Sequence, residues 1–393
     1  MQTETIQTKI LASQLPTPCY ILDKGKLIRN CKLLKSIQDK TGCKILLAQK
    51  AFSNYDLYSD IAPYLAGTEA SGLYEARLGA EEMPGKECHV FCSAYREQDF
   101  AELLKYADHI VFNSPTQLKH FGSRAKAAGK EIGIRINPQL STQQGHEIYD
   151  PCAPGSRLGT TIDQWKEHMT PELEALLDGI HFHTLCEQNA DALAKTLTAV
   201  EKDFGFILHQ VKWLNMGGGH HITRQDYDVD CLIDCITHMQ QTYDLQIYLE
   251  PGEAVALNAG YLYTSVLDIV HNGASKIAIL DMSAACHTPD VIEMPYRPPL
   301  FASGEATEKA HSYRLAGPTC LAGDIIGDYS FDQPLCIGHG LVFEDMAIYS
   351  TCKNNTFNGM PLPPILATTD GEEFQLLAEF GYDDFKYRLG SRR

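Results

Sequence analysis

From about residue 25 the chain alternates two hydrophobic patterns. Apolar residues recur at helical spacing in LIRNCKLLKSIQDKTG (27–42), DLYSDIAPYLAG, SGLYEARLGAEEM, REQDFAELLKYA and SPTQLKHFGSRAKAAGK. Between and after these lie short runs that are apolar nearly throughout: KILLAQ, TEAS (68–71), HVFCSA (89–94), HIVFN (109–113), EIGIRINP (131–138), GIHFHTL, VKWLNMGGG and LQIYLEPGE. The first pattern predicts helices, one ending at Gly42, one at Gly67, and one starting with Ser114 as cap and Pro115 at its first position. The second predicts strands buried on both faces, as in a parallel sheet covered by helices. Eight such strands in sequence suit a (β/α)8 barrel.

After about residue 260 the pattern changes. YLYTSVLDIV, KIAILDMS, HSYRLAGPT, QPLCIGHG and LVFEDMAIYS read as β segments, with little helical periodicity. The expected architecture is α/β plus all-β: a barrel over residues 25–260, and a β-domain built from 261–393 with residues 1–24, whose strand PCYILD (18–23) has no obvious slot in the barrel. The polar, Gly- and Pro-rich loop 141–160 follows a barrel strand, where active-site loops belong.

A chain of 393 residues is comfortable for two domains and needs no staples. The net charge of −17 argues against nucleic acid or an anionic membrane as partner and suits a cationic small substrate. The thirteen cysteines include no CxxC pair and fit a reducing compartment. The pairs Cys88–Cys92 and Cys231–Cys235, each spaced by one helical turn, read as packing residues. No apolar run has membrane-spanning length and the first residues lack a signal-peptide pattern, so the expected location is the cytoplasm.

Chemistry in such a barrel gathers at the C-terminal strand ends. Lys50, Glu69, Arg135, His183, the run Gly217–Gly219 and Glu250 all fall there. Lys50 closes an apolar strand and reads either as the point where that strand surfaces or as a nucleophilic amine. The glycine run lets the backbone approach an anion, or is a plain turn. Glu250 ends an apolar strand, where a carboxylate is costly without a partner. The HFH pair, His181 and His183, invites a metal-hydrolase reading with His220, His221 and His287. Strand alternation, however, allows only one of the pair to face the barrel interior. Read together, a lysine amine to condense with an aldehyde, glycine amides for a phosphate, and a carboxylate for a ring nitrogen meet the needs of pyridoxal phosphate.

The segments LLAQKAF, HFHT, MGGGH, LEPGEA, GPTCLAGD, FEDMAIYS and NTFNGM resemble, in order, those of the fold-type III pyridoxal-phosphate decarboxylases of the alanine racemase and ornithine decarboxylase superfamily. EPGEA in place of EPGR, with Glu253 where arginine stands, and Leu321 after GPTC in place of an acid, are nearest to the carboxynorspermidine/carboxyspermidine branch. The resemblance implies a carboxy-lyase of polyamine biosynthesis acting on carboxynorspermidine, carboxyspermidine or both. The alternatives are a diaminopimelate- or ornithine-type decarboxylase, a metal-dependent barrel hydrolase and a non-catalytic cofactor carrier. The resemblance also implies roles. Lys50 holds the cofactor covalently, and His183 stacks on its ring. Gly218 and Gly219, with backbone from Gly252 and Glu253, cradle its phosphate, helped by Tyr349. Glu250 pairs with the ring nitrogen, and Glu69 and Arg135 stand nearby. Cys320 is a proton donor delivered by the second subunit of a homodimer with shared sites. Acids that pair with the substrate amines are expected at Glu253, Asp290 and Asp324, with Asp281 and Glu293 in reserve. No metal site is expected.

Overall fold

The computed structural model describes residues 5–143 and 147–391. It divides into two compact units, one over Ile28–Val255 and the other formed by the described residues up to Leu27 together with those from Ala256 onward. In chain order β1 (Cys19–Asp23) belongs to the second unit. The first unit holds β2 (Lys44–Ala48), β3 (Gly67–Ala70), β4 (Glu87–Phe91), β5 (His109–Phe112), β6 (Glu131–Arg135), β7 (Gly179–His181), β8 (Trp213–Asn215) and β9 (Gln246–Leu249). These eight strands close into a barrel, all pairs parallel, with β9 back on β2 through Lys44↔Tyr248.

The barrel forms because its strands are covered on both faces: Ile45, Leu46, Leu47, Ile110, Ile132, Ile134, Ile180 and Ile247 are all buried, as are polar Glu69, His89, His181 and Asn215. Its N-terminal end is filled by Leu46, Val111, Trp213 and Tyr248. The indole needs glycine opposite it, since a Cβ on Gly179 would lie 1.9 Å from the Trp213 ring and one on Gly133 2.4 Å from it. Two expectations fail locally. Residues 55–64 form a short α-turn flanked by 3-10 turns, not one helix, because Pro63 interrupts the pattern, and Gly67 starts β3 where a helix end was expected. Cys88 lies on β4, so Cys88 and Cys92 do not share a helical turn, whereas Cys231 and Cys235 sit within helix Val229–Tyr243.

The second unit adds β10 (Gly260–Asn272), β11 (Ser275–Leu280), β12 (His311–Ala316), β13 (Ile325–Phe331), β14 (Gly340–Glu344), β15 (Ile365–Thr368) and β16 (Gln375–Ala378). The sheet runs β13-β12-β11-β10-β1-β15-β16, with β14 also on β10. β1 is central, antiparallel to β10 and parallel to β15, and its Cys19 and Ile21 pack with Ile10, Tyr261, Val342 and Leu366. The unit is not wholly β. Helices Ile6–Ala12 and Tyr382–Leu389 and the short turns Ala284–His287 and Asp290–Glu293 were missed because they are too brief to show a 3.6-residue period.

Candidate active site

The C-terminal ends of the barrel strands bring Lys50, Glu69, Arg135, His181, His183 and Glu250 around one cleft of about 240 Å³. Glu69 is on β3, Arg135 and His181 are the last residues of β6 and β7, and Glu250 directly follows β9. Loop residues Arg157 and Leu158 also line the cleft; residues 144–146 of the 141–160 loop lie outside the described residues.

Glu250 is buried and held at both oxygens. His181 Nε2 lies 3.1 Å from Oε2, and the Asn215 amide donates to Oε1 at 2.5 Å. Asn215 is itself oriented by the Gly217 N–H, which donates to its Oδ1 at 2.9 Å, and the Glu250 N–H donates to the Gly217 carbonyl at 2.7 Å. Burial pushes the Glu250 carboxyl up, but His181, His89 and the Asn215 amide outweigh it and hold the group below the usual carboxylate range. Burial also holds His181 below its ordinary value, against the pull of Glu250. Both directions are met by an ionised Glu250 facing a neutral imidazole that donates from Nε2. His181 Nδ1 is then a bare acceptor, buried and without a partner among the described residues.

Glu69 has the opposite character. Burial and the nearby Glu250 charge push its carboxyl up to about 8, against the smaller pull of Lys50. At neutral pH it therefore holds a proton. Among the described residues the Lys50 amine makes no hydrogen bond or ion pair, although it lies within the fields of Glu69, Glu75 and His183. Arg135 packs its guanidinium over the Phe91 ring at 4.7 Å and donates to the His183 carbonyl at 2.9 Å. Burial lowers it to about 10, so it stays a cation.

Both histidines of the HFH pair line the cleft. The expectation that only one would face inward is wrong, because residues two apart along a strand point to the same face. The Gly218 N–H donates to His183 Nδ1 at 3.1 Å, which fixes the ring, and burial keeps it neutral. Gly218 thus orients the histidine and has no free amide for an anion. Among the described residues the Gly219 and Gly252 amides remain without a hydrogen bond. Close approach explains the glycines: a Cβ on Gly218 would lie 2.4 Å from the Glu250 carbonyl, one on Gly219 2.0 Å from the Leu185 carbonyl, and one on Gly252 2.6 Å from Ala51 Cβ. Glu253, partly buried, stands 3.4 Å from His221, close enough to raise the imidazole above its ordinary value against burial.

The remaining expected residues lie on the sheet unit. Cys320 is exposed, and its backbone N–H donates to Asn358 Oδ1 at 2.7 Å, tying the GPTC and NTFNGM segments together. Tyr349 has a φ of 50°, a strained value for a non-glycine residue. Asp290 and Glu293 share the ammonium of Lys353. Asp324 differs from expectation: it is buried, and its oxygens accept from Ser283 Oγ at 2.9 Å, Ala285 N at 3.2 Å, Thr319 N at 3.3 Å and Thr319 Oγ1 at 2.6 Å, so it braces its own loop. Asp281 is likewise engaged, by Thr264 and Ser265.

At the barrel floor Glu87, His89 and His109 bring one potential ligand atom each within 4.8 Å of the others. Glu87 already pairs with Lys44, and the two imidazoles stack with centroids 3.8 Å apart at 13°. Stacked planes do not converge their lone pairs on one ion, so this cluster is a packed polar layer. Sequence reasoning missed Asn215 and gave His181 only a metal role. Their importance lies in the register His181↔Asn215↔Tyr248 across β7, β8 and β9, which a linear reading does not reveal.

Comparison with known proteins gives a coherent result. The profile of the pyridoxal-dependent decarboxylases, C-terminal sheet domain, matches residues 19–347. The carboxynorspermidine/carboxyspermidine decarboxylase of Campylobacter jejuni is 40% identical over 386 residues, covering 95% of this chain and 99% of that one. The carboxyaminopropylagmatine decarboxylase of a Synechocystis species is also 40% identical, over 96% of both chains. The crystal structure of the Campylobacter jejuni carboxynorspermidine decarboxylase, complexed with norspermidine, superposes with a TM-score of 0.86 at 39% identity, covering 95% of this chain and all of that one.

Proposed function

The chain belongs to the pyridoxal-dependent decarboxylases, and on that footing we propose that it removes the carboxyl group of carboxynorspermidine or carboxyspermidine to release norspermidine or spermidine. The observation that carries this reading is the Lys50 amine, without a hydrogen bond or ion pair among the described residues, in one cleft with Glu69, His183 and a Glu250 clamped at both oxygens. A lysine without an ion pair in a partly buried cleft is a nucleophile in waiting.

The residues present fit pyridoxal phosphate. Lys50 is free to hold its aldehyde, and an ionised Glu250 would hold a proton on its ring nitrogen. A neutral, fixed His183 would pack on its ring. The Gly219 and Gly252 amides, which make no hydrogen bond among the described residues, would hold its phosphate with the Glu253 backbone and Tyr349. When bound, the cofactor supplies the electron sink for the pair left behind as carbon dioxide departs. Arg135 keeps His183 in register through its carbonyl. Glu69, holding a proton at its carboxyl, adds no second negative charge beside Glu250. The Cys320 thiol would supply the proton to the carbon that loses the carboxyl group.

Glu253 and Asp290 are the proposed partners of the substrate ammonium groups. Asp324 serves instead as the brace of the Cys320 loop. The Synechocystis relative supports a second reading, in which the distal group is a guanidinium and the substrate is carboxyaminopropylagmatine. Initial rates on carboxynorspermidine, carboxyspermidine, carboxyaminopropylagmatine and diaminopimelate separate these. The expected preference is for the first two; diaminopimelate as best substrate contradicts the reading, because its distal carboxylate would meet acids.

The proposed assembly is a homodimer in which Lys50 of one chain and Cys320 of the other serve one site. Mixing Lys50→Ala with Cys320→Ala subunits under exchange then returns about a quarter of wild-type activity, since half the dimers are mixed and each has one intact site. No recovery, with exchange shown separately, contradicts sharing. No helix among the described residues is long and apolar enough to cross a membrane, and the proposed location is the cytoplasm.

A further inference from the structure

We infer that His181 is a positioning residue for the reaction: as the Nε2–H tautomer it clamps one oxygen of Glu250 while Asn215 clamps the other, aiming the carboxylate at the cofactor's ring nitrogen. The inference rests on the proposed cofactor site and deepens it.

The geometry constrains the tautomer. Glu250 is ionised and can only accept, so the proton between it and His181 belongs to Nε2. A second proton on Nδ1 would be a buried donor without an acceptor, because that atom is fully enclosed and has no partner among the described residues. The imidazole is therefore a neutral donor. It packs against the Phe91 ring, centroids 5.5 Å apart, a contact that holds its plane without a polar bond. Asn215 acts on the opposite oxygen and is itself set by the Gly217 N–H. Each Glu250 oxygen then has one donor and one lone pair left, and neither His181 nor Asn215 adds a formal charge.

That neutrality has a consequence. An arginine or lysine on Glu250 would cancel the charge that has to hold a ring proton. A neutral donor fixes the carboxylate and leaves its negative charge in place for the ring. The other ionisable groups that act on this pair include Glu69 on β3, His89 on β4, Arg135 on β6, His183 beyond β7, His220 beyond β8 and Lys50 beyond β2.

The test uses the full chain reconstituted with pyridoxal phosphate labelled at its ring nitrogen. Two quantities are read: the nitrogen NMR shift, which reports whether that atom carries a proton, and the cofactor dissociation constant. Wild type is expected to show a protonated ring nitrogen. His181→Gln, which keeps an amide donor near the Nε2 position, retains it. His181→Leu loses the donor, moves the shift toward the unprotonated value, and weakens cofactor binding about ten- to a hundredfold, the cost of one hydrogen bond to a charged group. His181→Asn, too short to reach Oε2, behaves as the Leu variant does and replaces it where that variant does not fold. An unchanged shift in the donor-less variants overturns the inference, as does a Gln variant that behaves like the Leu one. A wild-type chain that takes up no labelled cofactor overturns instead the reading on which the inference stands.

Discussion

The two ends of the barrel carry the same ingredients and use them differently. At the floor, Glu87, His89 and His109 are joined by Lys44, whose ammonium lies directly on the carboxylate. At the mouth, Glu250 and His181 are joined by Lys50, whose side-chain nitrogen makes no hydrogen bond or ion pair among the described residues. At the floor burial pushes Glu87 up, but its histidine and lysine bonds draw it down to about 2, and the charge is cancelled where it stands. The mouth keeps one carboxylate ionised on neutral donors, gives its neighbour Glu69 a proton, and leaves the amine free. Placing a lysine on a carboxylate finishes the local electrostatics. Holding them apart in one cleft preserves both for chemistry with a third group.

Four substitutions probe that contrast, from the largest effect down. Lys50→Ala is expected to abolish decarboxylation and the visible cofactor band; full turnover would move the covalent role to another lysine. Glu250→Ala should still bind cofactor but turn over slower by on the order of a hundredfold or more, as for loss of a preorganised charge, and an unchanged rate breaks the proposed role of the mouth. Glu69→Gln acts on stability. The folded state holds the Glu69 proton up to about 8 against an ordinary value of 4.5. Stability of the cofactor-free chain is thus full below about 4.5 and falls as pH climbs to about 8. Denaturant titrations across that range should show a shallower fall in the Gln variant. Lys44→Met should cost about 1 kcal/mol or less, since the pair is partly exposed, with turnover unaffected. The depressed Glu87 contributes stability above 4.5 that is lost as pH falls toward about 2, and removing Lys44 should reduce that loss. A loss of turnover in the Lys44 variant would erase the distinction between floor and mouth.

The sequence was most legible where burial is uniform. All eight barrel strands are recognisable because a strand covered on both faces has no polar alternation to confuse it with a half-exposed one. The segment 55–64 was misread because its apolar spacing is helical while Pro63 forbids a continuous helix. In the site, Lys50 and Glu250 stand out as charges at the ends of apolar strands. The clamp on Glu250 does not, because His181, Asn215 and Glu250 are 34 to 69 residues apart in sequence and meet only through strand register. Asp324 shows the reverse error: an acid beside GPTC reads as a free ligand group until its four donors are seen.

The central claim is that the free amine of Lys50 is the covalent seat of pyridoxal phosphate. Borohydride reduction of the reconstituted chain, followed by peptide mass mapping, tests it directly. The account predicts one phosphopyridoxyl group per chain, on the peptide containing Lys50 and nowhere else. A label on a different lysine, or a chain that takes up cofactor and yields no reduced adduct, would contradict it.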